Sequence, residues 1–153
     1  MTTLKNATAQ KVKTNSMKKQ TLITQNDYDR LIEIIRQGKS LGTLSAGSLE
    51  KIGEELKKAR IIDQAKIPAD VVTMNSKVEI TDMATRRKMT LQLTYPDSAD
   101  IKQQKISVFA PVGTALIGYR AGDEIAWEVP GGKKVFKINN VVYQPEAAGD
   151  FHL

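Results

Sequence analysis

The chain has 153 residues and no cysteine. That leaves room for one ordinary domain, or a small domain with an appendage, and excludes disulfides, thiolate nucleophiles and zinc–thiolate sites. Nothing approaches the roughly 20 continuous apolar residues of a membrane span, and the basic N-terminus lacks the apolar segment of a secretory signal, so a cytoplasmic protein without membrane contact is expected.

The net charge of +6 is concentrated at one end. Residues 1–20 contain Lys5, Lys11, Lys13, Lys18 and Lys19 and no acid; 23 basic residues less these five leaves 18 against 17 acids. A basic face on the folded part is therefore not expected. Polar and without apolar periodicity, residues 1–20 read as a disordered tail. Thr21-Leu22-Ile23 can form an extended entry. Thr24 or Asn26 can then cap a helix with Asp27 and Asp29 in its first turn, where negative charge suits the helix dipole. Tyr28, Leu31, Ile32 and Ile35 recur at helical spacing, and Gly38 is the natural stop.

Lys39, Ser40, Leu41, Gly42, Thr43 and Leu44 make a short connector. Ser45 or Ser48 can cap a second helix, whose apolar residues Leu49, Ile52, Leu56 and Ala59 recur at three and four positions. Glu54 and Lys58 stand in the favourable i,i+4 order. Two such helices across so short a link predict an antiparallel hairpin over residues 21–66.

Ile67-Pro68 ends the helical part, because the residue before proline is pushed out of helical geometry. The period then changes to two. Val71–Met74, Val78–Ile80 and Met89–Tyr95 read as strands, with a polar turn over residues 82–88 and a break at residues 96–100. From Ile106 to Val129 the pattern is strand, tight entry, short apolar helix, turn, strand. Pro111 suits the first helical turn, Ala115, Leu116 and Ile117 give the helix an apolar face, and Gly118 can close it. Trp127 alternates with Ile125 and Val129 and reads as core; Phe109 reads equally as core or as an exposed contact. Pro130-Gly131-Gly132 is a hairpin turn into the strand Lys133–Tyr143, where a bulge near Asn139-Asn140 explains a parity change. Residues 144–153 look irregular. The C-terminal part is thus an α+β module: an antiparallel sheet of four to six strands on one short helix.

No catalytic constellation is present. The only histidine, His152, is penultimate, where chain ends fray. Gly131-Gly132 joins two strands and leads into no helix, as a phosphate-cradling loop would. Asp123-Glu124 and Glu54-Glu55 lack the spaced oxygen ligands of a calcium loop. No catalytic residue, metal or cofactor is expected.

The ordered motifs resemble a known family. V-V-T-M-N-S at Val71–Ser76, A-P-V-G-T-A-L-I-G at Ala110–Gly118, A-G-D-E-I, V-P-G-G-K and Y-Q-P-E-A-A-G-D at Tyr143–Asp150 follow a helical hairpin. In this order they resemble the Gre transcript-cleavage factors of bacterial RNA polymerase, and more closely the branch of that family that regulates nucleoside diphosphate kinase. The likeness spans about residues 22–153. It implies a coiled-coil hairpin followed by an FKBP-like module over 67–153. It also implies binding at the rim of the polymerase secondary channel, with Val108, Phe109, Ala110, Pro111, Val112, Gly113 and Thr114 as the docking loop. Phe109 and Ala110 depart from the acid and serine usual there.

At the hairpin tip, Gre factors carry two acids that help hold an active-centre metal, a task suited to carboxylate oxygens. Residues 38–44 have none, and helices of 12–14 residues, roughly 20 Å, would reach less deeply. The expectation is a monomeric, non-enzymatic regulator that binds polymerase, competes with Gre factors, meets nucleic acid only indirectly and stimulates no cleavage. A peptidyl-prolyl isomerase is the alternative that fold analogy offers, and nucleic-acid binding through the lysine tail is a third reading.

Overall fold

The computed structural model describes residues 20–42, 44–129, 131–151 and 153, with backbone only for 39–41 and 127–129. The expectations for residues 1–19, Thr43, His152 and the side chain of Trp127 lie outside these residues.

Strand β1 (Leu22–Thr24) runs directly into helix α1 (Gln25–Leu41). Thr24 caps it, its hydroxyl accepting from the N–H of Asp27 at 3.1 Å. The expectation that Gly38 ends the helix is not met. Gly38 lies within the helix, where a Cβ would be 2.8 Å from Leu44 Cδ1, so glycine makes room for that side chain. The stop is Gly42, at φ +67°, whose N–H reaches the carbonyl of Gly38 at 2.9 Å. Helix α2 (Ala46–Lys58) is capped by Ser45 through the N–H of Ser48.

Strand β2 (Arg60–Ile62) then pairs in parallel with β1. The N–H of Arg60 donates to the carbonyl of Thr21, and Gln20 Nε2 to that of Lys58. The end of α2 thus meets the start of α1, and the helices lie side by side in opposite senses. This two-strand clasp was not expected: β2 is three residues long, too short for a period to show.

The remainder is mixed α+β. A five-stranded sheet has the order β5 (Lys105–Ser107), β4 (Lys88–Thr94), β3 (Lys77–Asp82), β7 (Gly132–Tyr143), β6 (Glu124–Val129). Three pairings are antiparallel, as expected, but β4 and β5 are parallel. Two 3-10 turns, Pro96–Ser98 and Ile101–Gln103, carry the chain back level with Gln92, so β5 runs beside the second half of β4 in the same sense. The bulge at Asn139 is present: Glu79 pairs with Asn140 and Ile80 with Ile138. A second shift, past Val142, lies between Lys77 and Val78.

Val71–Met74 is not a strand. Its side chains are buried, which mimics a strand pattern, but its backbone bonds go to different places. Val72 exchanges bonds with Tyr119 and Gly118, Thr73 N–H goes to Ser76 Oγ, and Asn75 turns the chain at φ +69°. Helix α3 (Pro111–Leu116) packs beside β6, and α4 (Pro145–Ala148) occupies part of the tail expected to be irregular.

One apolar core spans both parts of the chain. Ile23, Leu31, Ile52 and Leu56 from the helical pair join Val72, Met74, Ile80, Leu93, Leu116 and Ile138. The helices are therefore seated in the sheet's own core.

Candidate functional site

The entry to α3 is assembled from β5 and the loop after it. The N–H of Val108 donates to the carbonyl of Thr94, and that of Phe109 to Ser107 Oγ. Thr114 Oγ1 donates back to the carbonyl of Val108 at 2.6 Å, tying the helix to its own entry. Gly113 lies against the strand so closely that a Cβ would be 2.1 Å from the carbonyl oxygen of Ser107. Only glycine permits that approach. Pro111 takes the first helical position, where a missing N–H costs nothing.

This packing sorts the seven expected docking residues. Val108, Phe109, Gly113 and Thr114 are buried; Ala110 and Val112 are half-buried; Pro111 is exposed. Phe109 was read as core or contact, and its side chain is 6 % exposed within the apolar core. Core packing does use a phenylalanine ahead of Pro111. The surface the loop offers outward is Ala110, Pro111 and Val112.

Only part of the expected tip is loop. Lys39, Ser40 and Leu41 form the last turn of α1, Gly42 and Leu44 lie in the connector, and Thr43 is outside the described residues. With 17 residues, α1 is about 25 Å long, and α2 with 13 about 20 Å. Among the described residues, no cluster of three or more His, Asp or Glu side chains is placed to hold a metal.

A buried polar joint fastens the helices to the sheet. Asp27 is 3 % exposed in the first turn of α1. Its Oδ2 accepts from the N–H of Met74 at 3.1 Å, and its Oδ1 from the hydroxyl of Tyr95 at 3.3 Å. The guanidinium of Arg30 lies 4.2 Å from the Tyr95 ring centre, a cation–π contact. Burial raises the Asp27 carboxyl to about 6, and the charge of Glu146 adds to this against the hydrogen bonds that oppose it. Burial also pushes the Tyr95 phenol up. Thr73 Oγ1 bonds Glu146 Oε1 and Ser76 Oγ, so α4 closes the joint from the far side.

The sequence marks Asp27 only as a first-turn acid. The V-V-T-M-N-S motif is the turn that receives it, but nothing local in either segment names the other.

A family model described as "Transcription elongation factor, GreA/GreB, C-term" matches residues 67–143. The "Regulator of nucleoside diphosphate kinase" of Escherichia coli (strain K12) is 37% identical over 133 residues, covering 86% of this chain and 96% of that one. The "Transcription elongation factor GreA" of Syntrophotalea carbinolica is 33% identical over 97 residues, covering 63% of this chain and 61% of that one. Among solved structures, "Prokaryotic transcription elongation factor GreA/GreB from Nitrosomonas europaea" superposes with a TM-score of 0.67 at 37% identity, covering 82% of this chain and 100% of that chain.

Proposed function

The chain belongs to the GreA/GreB family of transcription elongation factors, and from that membership we propose that it binds RNA polymerase at the secondary-channel rim without stimulating transcript cleavage. In this reading residues 67–153 are an FKBP-like docking module, presenting Ala110, Pro111 and Val112. Residues 21–66 are a coiled-coil arm directed toward the channel. The protein acts as a cytoplasmic monomer, meets nucleic acid in the company of the polymerase, and competes with Gre factors for the rim. By analogy with its Escherichia coli relative's name, it affects nucleoside diphosphate kinase levels.

The observation that carries the cleavage-free reading is the end of the arm. The stretch from Gly38 to Leu44 contains no carboxylate, and the nearest acids, Glu33 and Glu50, lie inside the helices. A hard divalent cation needs oxygen ligands, so this tip supplies nothing to hold one. An isomerase reading gains no support, since Phe109 and Phe136, which could line a substrate pocket, are both packed in the core.

Immobilised core polymerase provides the test. Retention of the full-length protein at micromolar concentration, reduced by excess Gre factor, supports the reading. Absence of retention overturns it.

A further inference from the structure

The folded part is near-neutral in count, but its charges are segregated. The turn between β3 and β4 carries Arg86 and Arg87, Lys88 opens β4, and β7 carries Lys133, Lys134 and Lys137; all six are exposed. Two contacts hold these segments together. The N–H of Met83 donates to the carbonyl of Val135 at 3.0 Å, and Lys134 Nζ pairs with Asp82 Oδ2 at 2.9 Å. In register, Lys88 and Lys137 sit opposite Thr81 from either side, so both point from the same sheet face.

The acids nearby offset this charge only in part. Asp82 is buried and engaged: Oδ1 accepts from the N–H groups of Ala84 and Thr85, while Oδ2 takes Lys134. It organises the turn that displays the arginines. On β6, exposed Glu124 stands opposite Lys137 and Glu128 opposite Lys133, so Arg86, Arg87 and Lys88 carry the excess. Among the described residues, Arg86, Arg87, Lys88, Lys133 and Lys137 make no ion pair.

The geometry points to a nucleic-acid backbone contact at this end of the sheet, with Arg86, Arg87, Lys88, Lys133 and Lys137 facing phosphates. Neighbouring strands are about 4.8 Å apart, so Lys88 and Lys137 stand about 10 Å apart across β3. Along one strand rising 3.4 Å per nucleotide, that width passes about three phosphates. A protein partner would need an apolar anchor in a desolvated pocket. Thr81, Thr85 and Thr90 here are polar, and the apolar neighbours Met83, which Arg86 Nη1 meets at 3.9 Å, and Val135 are half-buried. The contact goes beyond the proposed polymerase docking and uses a different surface from Ala110–Val112.

The test is fluorescence anisotropy with a labelled duplex DNA and a labelled single-stranded RNA, from 25 to 200 mM salt. It uses the full chain with Lys5, Lys11, Lys13, Lys18 and Lys19 replaced by glutamine, so that the tail does not contribute. Binding should persist in that background, with affinity falling as salt rises. Adding R86Q, R87Q and K88Q should weaken it at least tenfold at 50 mM salt and reduce the log–log salt slope by about 2 to 3. Adding K133Q and K137Q alone should act in the same direction, and circular dichroism melts should be unchanged. Loss of all binding with the tail lysines, or no effect of the sheet substitutions, overturns the proposal. So does equal competition by polyglutamate or anionic vesicles, which would assign the patch to an acidic protein or a lipid surface. Retention on core polymerase should survive these substitutions, so failure here is distinguishable from failure of the polymerase reading.

Discussion

The Asp27 carboxylate accepts the backbone N–H of Met74 across 47 positions of sequence, at 3.1 Å, inside the seam between α1 and the sheet. The start of α1 is thereby fixed to the turn that follows the helical part. Holding a helix in one orientation needs such a joint, because apolar packing is non-directional and leaves orientation to polar contacts of defined geometry.

That joint makes stability depend on pH. Folding raises the Asp27 carboxyl to about 6, so the folded state holds its proton more tightly than the unfolded chain. The resulting stabilisation is complete below about pH 4, the range of a free aspartate, and is lost as pH rises through about 6. Tyr95, Thr24, Met74 and Glu146 are the groups facing it. Asparagine stays neutral and can still accept from Met74. Asp27→Asn should therefore gain about 1–2 kcal/mol relative to wild type between pH 5 and pH 7.5. Urea denaturation at the two pH values checks this; a pH-independent difference contradicts it.

Two glycines should respond in opposite directions to alanine. At Gly113 the new Cβ would overlap the Ser107 carbonyl, and Gly113→Ala should cost about 2–4 kcal/mol. At Gly53, inside α2, a Cβ meets nothing within 4 Å, and Gly53→Ala should stabilise by about 0.5–1 kcal/mol through helix propensity. Chemical denaturation midpoints separate the two.

Gln144 binds three backbone groups while 3 % exposed. Its Nε2 donates to the carbonyls of Pro68 and Val71, each at 2.8 Å, and its Oε1 accepts from Ala147 as the cap of α4. Gln144→Ala should cost about 2–4 kcal/mol, because buried groups lose their partners. Gln144→Glu should cost as much or more, since a carboxylate cannot donate to those carbonyls. Thermal melts read both.

Phe109 and Pro111 are neighbours in sequence with different expected effects. Phe109→Ala should destabilise by about 3–5 kcal/mol as a buried aromatic is removed. Pro111→Arg should leave the melting temperature within about 2 °C and lower retention on core polymerase at least tenfold. Reversal of the two effects would place the docking contact elsewhere.

Much of the local fold was legible because it is written in local periods and caps. Thr24, Ser45, Pro111 and the Asn139 bulge are where spacing and turn chemistry put them. What was hidden depends on distant partners. Gly38 reads as a helix stop until Leu44 is seen to need its space. Val71–Met74 reads as strand because its residues are β-branched or apolar, although its hydrogen bonds go to Gly118, Tyr119, Ser76 and Asp27. The parallel β4–β5 pair and the β1–β2 clasp rest on strands of three residues, shorter than any pattern can declare. The basic cluster was invisible to a net count, since it forms only when β7 folds beside the β3–β4 turn. The acid-free tip, by contrast, needs nothing but the sequence.

Stalled elongation complexes carrying a backtracked transcript test the central claim most directly. The full-length protein alone should release no 3′ fragments, and when titrated against a Gre factor it should suppress that factor's cleavage in proportion to its concentration. Trimming by the protein alone, or Gre cleavage unaffected at saturating concentration, would contradict the account.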